Sequence, residues 1–190
     1  MPLQLIVGLA NPGKEYADTR HNVGAWWLQA VCTQFDINLQ TQSKLLAAVG
    51  QQHIGTNKIR CAIPTTYMNH SGQALQKVAQ YYNVASEDIL VAHDELDFPA
   101  GTVRIKFGGG HGGHNGLRDI IAQLGTDKFH RLRIGIGHPG DRDLVSDYVL
   151  SNPSKSDRDL IQNSIQNSML LFPTMLAGDW SEVMNKLHQN

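Results

Sequence analysis

Apolar and polar positions along this chain fall into blocks whose period switches between that of a strand and that of a helix. Residues 3–9 (LQLIVGL) are a short β-rich apolar run ended by the turn Asn11-Pro12-Gly13. Asn22 is placed to cap a helix carrying Val23, Trp26, Trp27, Ala30 and Val31 on one face, ending near Phe35. Segments 45–54 and 58–63 read as paired strands around Gly55-Thr56-Asn57. Asn69 or Ser71 then opens a helix with Leu75, Val78, Ala79 and Tyr82 at helical spacing.

The second half continues the alternation. Residues 89–92 (ILVA) read as a buried strand running into His93-Asp94-Glu95, and 102–107 (TVRIKF) alternate as a strand should. Leu117, Ile120, Ile121 and Leu124 give a helix face, and 131–137 (RLRIGIG) alternate again. Pro153 introduces a helical tail over 154–190, punctuated by Pro173 and Gly178. The pattern predicts an α/β fold: one domain, three layers, a twisted mixed sheet flanked by helices on both faces. The 45–63 hairpin is what makes the sheet mixed. Gly137, Pro139 and Gly140 lie at the base of segment 141–152, which is read as a candidate mobile lid.

Length fits a single domain of 190 residues. Cys32 and Cys61 sit in apolar segments without CxxC spacing and read as buried thiols of a reducing cytoplasm. No apolar run approaches the roughly 18 residues of a membrane span, and the first strand starts too early to leave room for a signal peptide. Net charge is −1, which argues against a strong general affinity for polyanions. Its distribution says more. Residues 101–133 hold Arg104, Lys106, Arg118, Lys128, Arg131 and Arg133 against Asp119 and Asp127, a local net of +4. Such a stretch can make a phosphate-binding patch, or equally a solvated surface with counter-charges nearby.

Two glycine motifs imitate nucleotide loops. GLANPGKE (8–15) fits G-x-x-x-x-G-K, but Glu15 stands where Ser or Thr would bind magnesium, and Pro12 removes an N–H from the cradle. Gly108, Gly110 and Gly113 fit G-x-G-x-x-G, yet too late in the chain for a dinucleotide fold. The run 108–116 is still the densest feature present, with six glycines, two histidines and an asparagine in nine residues. Glycine at that density suits a backbone that must lie against a ligand or another strand.

Among nine histidines, His111 and His114 have H-x-x-H spacing, but in a glycine loop that spacing fixes no metal geometry. No serine sits on a nucleophile elbow, and neither cysteine, each inside an apolar segment, is placed to be a reactive thiolate. That leaves water activated by a histidine. His21, just before a helix, is the candidate base, and Asp94, at the C-terminal end of a buried strand, is placed to orient it. Core histidine and turn aspartate are the plainer alternatives. Glu95 and Asp97 read as surface acids.

Five blocks, VGLANPGKEYADTRHNVG (7–24), PTTYMNHSG (64–72), VAHDELDFPAG (91–101), GGGHGGHNGL (108–117) and FHRLRIGIGHPG (129–140), together resemble the bacterial-type peptidyl-tRNA hydrolases. The resemblance runs from about residue 3 to 150. It implies hydrolysis of the ester between peptide and tRNA, recycling tRNA from peptides dropped by the ribosome. It assigns His21 as base, Asp94 as its orienter, and Asn11 as a third catalytic-site group. Asn69 and Asn115 would join Asn11 along the crevice, with Tyr16 and Met68 as walls and His114 near the terminal nucleotide. Lys106 and Arg133 resemble the family's clamp for tRNA phosphate. His70 departs from the apolar residue more usual there. The resemblance implies no metal, no cofactor and no membrane, with peptidyl-tRNA as the partner of a cytoplasmic monomer. A non-catalytic RNA-binding module, a zinc hydrolase using His111 and His114, and a nucleotide-binding dehydrogenase are the competing readings. The matched pair His21/Asp94 favours the enzyme.

Overall fold

The structure, a computed structural model, describes residues 2–188. Seven strands form one mixed sheet: β1 (Leu5–Gly8), β2 (Gln40–Gln42), β3 (Ala47–Ile54), β4 (Asn57–Pro64), β5 (Ile89–Glu95), β6 (Val103–Phe107) and β7 (His130–Gly135). Their spatial order is β2-β3-β4-β1-β5-β7-β6. The central strands β4, β1, β5 and β7 run parallel, while β2, β3 and β6 are antiparallel to their neighbours. The four parallel strands are covered on both faces, which is why β5 opens with an unbroken apolar run instead of an alternating one.

Two layers of helices supply that cover. On one face α1 (Val23–Gln34) and the tail helices α5 (Lys155–Met169), α6 (Phe172–Ala177) and α7 (Trp180–Leu187) bury Trp27, Leu28, Val31, Ile161 and Phe172 against Ile6, Leu90 and Leu132. On the other, α2 (Ser71–Tyr82) and α3 (Asn115–Leu124) bury Leu75, Val78, Leu117 and Ile120 against Val7, Val91 and Phe129. Asp119 of α3 ties the second layer together by accepting from Gly72 N at 2.7 Å and Gln73 N at 3.3 Å, the open N-terminus of α2. Gly24 lets α1 settle onto the sheet, since a Cβ there would lie 2.2 Å from the carbonyl oxygen of Ala92.

Several local expectations shift. The strand expected to begin at residue 45 begins at Ala47, because Ser43–Leu45 form a 3-10 turn and Leu46 takes a left-handed φ of 55°. The edge strand β2 is too polar and short to show a period. Asn22 precedes α1 but caps nothing with its side chain. Its amide is engaged elsewhere, as described below. The tail is three helices, with Pro173 in the first turn of α6 and Gly178 ending it at φ 75°. Residues 189 and 190 of the expected tail lie outside the described residues. A short helix, α4 (Val145–Val149), occupies the candidate lid. No helix of the described residues is long and apolar enough to cross a membrane.

Candidate active site

The chain leaving β1 turns toward one edge of the sheet through α1, and the chain leaving β5 turns toward the other. At their C-terminal ends the two strands part and open a crevice, the position where ligands of open α/β sheets bind. Its volume is about 830 Å³. Asn11, Tyr16, His21, Met68, Asn69, Asp94, Lys106, His114, Asn115 and Arg133, every site residue expected from the sequence, line it.

His21 lies in a 3-10 turn (Arg20–Asn22) leading into α1, and Asp94 near the end of β5. His21 Nδ1 lies 2.9 Å from Asp94 Oδ1 and 3.0 Å from Oδ2, with both side chains buried. Nδ1 therefore carries the proton, and Nε2 keeps a lone pair. Burial pulls the His21 pKa down, but the charge of Asp94 and its hydrogen bond outweigh it and raise the pKa above 6.5. Burial alone would raise Asp94, yet the donors of His21 and His114 hold its carboxyl well below the usual carboxylate range.

His114 does more than border the crevice. Its Nδ1 accepts from Gly116 N and Leu117 N at 3.1 and 3.3 Å, capping α3, so its proton sits on Nε2 and is donated to Asp94 Oδ1 at 2.8 Å. Ligand atoms of His21, Asp94 and His114 lie within 4.8 Å of one another, a spacing a metal could use. The donor set does not suit one. Nδ1 of His114 is committed to the helix, and both rings point protons, not lone pairs, at the carboxylate. His111, the other zinc candidate, likewise spends Nδ1 on Gly113 N at 3.0 Å.

Asn11 is fixed by a reciprocal clasp. Its N–H donates to Asn22 Oδ1 at 2.9 Å and its carbonyl accepts from Asn22 Nδ2 at 3.0 Å. Asn11 Oδ1 in turn accepts from Met68 N at 2.7 Å. With the oxygen turned to Met68 N, the Asn11 amide presents its Nδ2 N–H groups as the unengaged donors beside the crevice. Met68 is buried, its sulfur against Gly116, so it forms a floor that also belongs to the core. Asn69 and Asn115 are exposed on the rim, and Asn115 Oδ1 accepts from Arg118 at 3.2 Å. Tyr16 meets the exposed ring of Tyr67 edge-on, 6.3 Å between centroids.

The basic strip divides by burial. Lys106 is exposed, its Nζ over Gly109. Arg133 donates Nε–H to Glu95 Oε2 at 2.9 Å and lies over the Phe98 ring, 4.5 Å to its centroid. Glu95 is thus not the solvated acid expected of it: β5 runs three residues past the apolar ILVA and carries Glu95 beside β7. Arg131 is buried and reaches the carbonyl oxygens of Gly109 and Gly110, which removes it from the surface patch and makes it the brace of the glycine loop. Gly109 itself takes a φ of 95°, a left-handed backbone conformation that favours glycine.

Sequence reasoning passed over several contributors. Tyr67 stood inside a quoted block, beside Met68. Leu96, Val145, Val149 and Leu150 form an apolar wall, which no periodicity announced. Arg20, beside His21, is buried and donates to Ser151 Oγ at 2.7 Å and Asn152 O at 3.0 Å, with its guanidinium 4.0 Å over the Tyr148 ring. Tyr148 Oη donates to Ile136 O at 2.7 Å. The C-terminal end of the candidate lid is therefore tied to the turn that carries His21.

The peptidyl-tRNA hydrolase family profile matches residues 5–190. The chain belongs to that family. A peptidyl-tRNA hydrolase of Legionella pneumophila (strain Paris) is 49% identical over 99% of this chain and 100% of its own length. One from Pseudomonas aeruginosa (strain LESB58) is 51% identical over 98% and 96%. The crystal structure of the Acinetobacter baumannii peptidyl-tRNA hydrolase superposes with a TM-score of 0.95 at 43% identity, covering 97% of this chain and 94% of that one. Family membership fixes the three-layer fold and the class of chemistry, an ester hydrolase.

Proposed function

We propose that this enzyme hydrolyses the ester joining a peptide's carboxyl carbon to the terminal ribose of tRNA, through a water activated by His21. The observation that carries the reading is the His21 Nδ1–Asp94 pair at 2.9 Å, which leaves Nε2 as the basic nitrogen of a ring lining the crevice. Nε2 takes a proton from water as the oxygen attacks the carbonyl carbon. Asp94 stabilises the imidazolium that forms. The Asn11 amide N–H offers the developing oxyanion a donor. Collapse breaks the bond to the ribose oxygen, and His21 returns its proton to that leaving group.

Asn69 and Asn115 on the rim suit the peptide backbone, since an amide both donates and accepts without demanding a particular side chain. Tyr16 and Met68 supply wall and floor. Lys106 and Arg133 form the phosphate clamp. The Nε bond to Glu95 and the stacking on Phe98 leave Arg133's two terminal nitrogens as a fork for phosphate. The 141–152 segment serves as a lid over the crevice, moving in its outer part while Arg20 and Tyr148 hold its far end. The enzyme works as a metal-free monomer in the cytoplasm and returns tRNA from abandoned peptides to use. Hydrolysis of N-acetyl-aminoacyl-tRNA with and without a chelator tests this. Activity indifferent to chelation supports the reading, and chelator-sensitive activity overturns its metal-free chemistry.

A further inference from the structure

β1 and β5 pair in parallel from Leu5↔Ile89 to Gly8↔Ala92, and the ladder ends where Leu9 N donates to Ala92 O at 3.1 Å. The next carbonyl on that edge of β5 belongs to Asp94. A continued β1 would meet it with the N–H of Asn11, but that N–H has turned to Asn22 Oδ1. The parting of the strands that opens the crevice thus deprives the pivotal residue's carbonyl of its ladder donor. A buried carbonyl left without a donor carries the full desolvation penalty of an unmade hydrogen bond.

His93 supplies the donor. Its Nδ1 lies 2.7 Å from Asp94 O, and the residue is 2% exposed. The ring also packs edge-on against His114, 5.1 Å between centroids. His93 Nε2 has no hydrogen-bond partner among the described residues. Burial, with the neighbouring His114 ring and the Arg131 guanidinium adding to it, pushes its pKa down to about 3. The ring is therefore neutral in the physiological range, with its single proton on Nδ1.

We propose that His93 is a positioning residue: its Nδ1–H replaces the missing strand donor, holds the Asp94 peptide, and so keeps the carboxylate between His21 and His114. This rests on the reading of Asp94 as the partner of His21. A histidine merely filling the core would be replaceable by any ring of similar size. A positioning histidine is replaceable only by a side chain that keeps an N–H at the Nδ1 position. Asparagine does so, because its Nδ2 occupies nearly the place of His Nδ1. Glutamine instead carries its amide to the Nε2 end.

The test compares His93→Phe, His93→Asn and His93→Gln in the full chain. The first readout is the titration midpoint of the His21 ring by NMR, which reports Asp94's placement whether or not His21 is the base. Asp94 and His114 are the titratable groups in contact with that ring among the described residues, with His93 beside His114 and Arg131 acting on His93. In His93→Phe the midpoint should fall by about one pH unit, a tenfold weaker hold by Asp94. kcat should fall about 10- to 100-fold with KM within about 3-fold, as expected of a misplaced catalytic group. His93→Asn should restore both. An unchanged midpoint in His93→Phe, or equal losses in Asn and Phe, would overturn the proposal. Should the Phe variant not fold, Asn outperforming Gln supports it and parity overturns it. Normal turnover in His21→Ala, measured alongside, would instead sink the general-base reading while the midpoint still judged His93.

Discussion

His114 offers Asp94 a second imidazole donor: its Nε2 lies 2.8 Å from the oxygen, Oδ1, that also takes His21 Nδ1 at 2.9 Å. An asparagine at 94 sets an NH2 where Oδ2 now lies 3.0 Å from His21 Nδ1. Oδ1 would stay with His114, whose tautomer is locked by α3, and Nδ2 would face His21. The His21 ring must then turn its Nδ1 lone pair to the amide and carry its proton on Nε2, where it cannot accept from water. Asp94→Asn should lower kcat by about 10³-fold or more while leaving KM nearly unchanged. Steady-state kinetics checks this, and a loss below tenfold would mean that tautomer control is unimportant here.

The pH profile follows from the same pair. Because the His21 pKa is raised and the unprotonated ring is the active form, kcat/KM should climb with unit slope and level only above pH 6.5. Stability runs the other way. A raised folded-state pKa contributes stability that is full below the unfolded value and is lost as pH rises through the folded one. Thermal melts and kcat/KM measured across that window should therefore move in opposite directions. A profile flat from pH 5.5 upward would contradict the assignment.

Much of this site was legible in the sequence because short polar blocks interrupt apolar runs at the points where strands end. TRHN leads into α1 and HDE ends β5, so His21 and Asp94 both stand out as polar interruptions of apolar runs. What stayed hidden depends on pairing between distant segments. That Asn22 clasps Asn11 instead of capping α1 follows from the β1–α1 connection folding back on itself, and that Glu95 holds Arg133 follows from β5 meeting β7 in the sheet. Arg131 and Arg133, two residues apart on β7, share one face of the sheet, but the glycine loop covers Arg131 and leaves Arg133 able to reach the crevice. Strand β2 could not be read at all, since three polar residues have no period.

The clamp should separate from the chemistry. Lys106→Ala should raise KM several-fold at low salt, leave kcat within about twofold, and shrink the slope of log KM against log salt by about one. Arg133→Lys should not rescue Arg133→Ala, because an ammonium cannot bond Glu95 and fork a phosphate at once. An unaltered salt slope in both variants would move the tRNA contact elsewhere.

Gly24→Ala should be among the costlier single substitutions for folding. Its methyl would press into the carbonyl of Ala92, a backbone atom of a fully paired central strand that cannot swing aside. A loss of about 2–3 kcal/mol is expected, the upper part of the range for overpacking, and chemical denaturation measures it. Asp119→Ala, which removes the shared cap of α2, should cost about 1 kcal/mol with no change in kcat.

The decisive measurement is single-turnover hydrolysis of N-acetyl-aminoacyl-tRNA by His21→Ala, with tRNA binding measured on the same protein. Turnover should fall by about 10²- to 10⁴-fold, the usual contribution of a general base, while affinity for tRNA stays within about threefold. Turnover near the unaltered enzyme's, in a variant that is folded and binds tRNA, would show that another group activates the water.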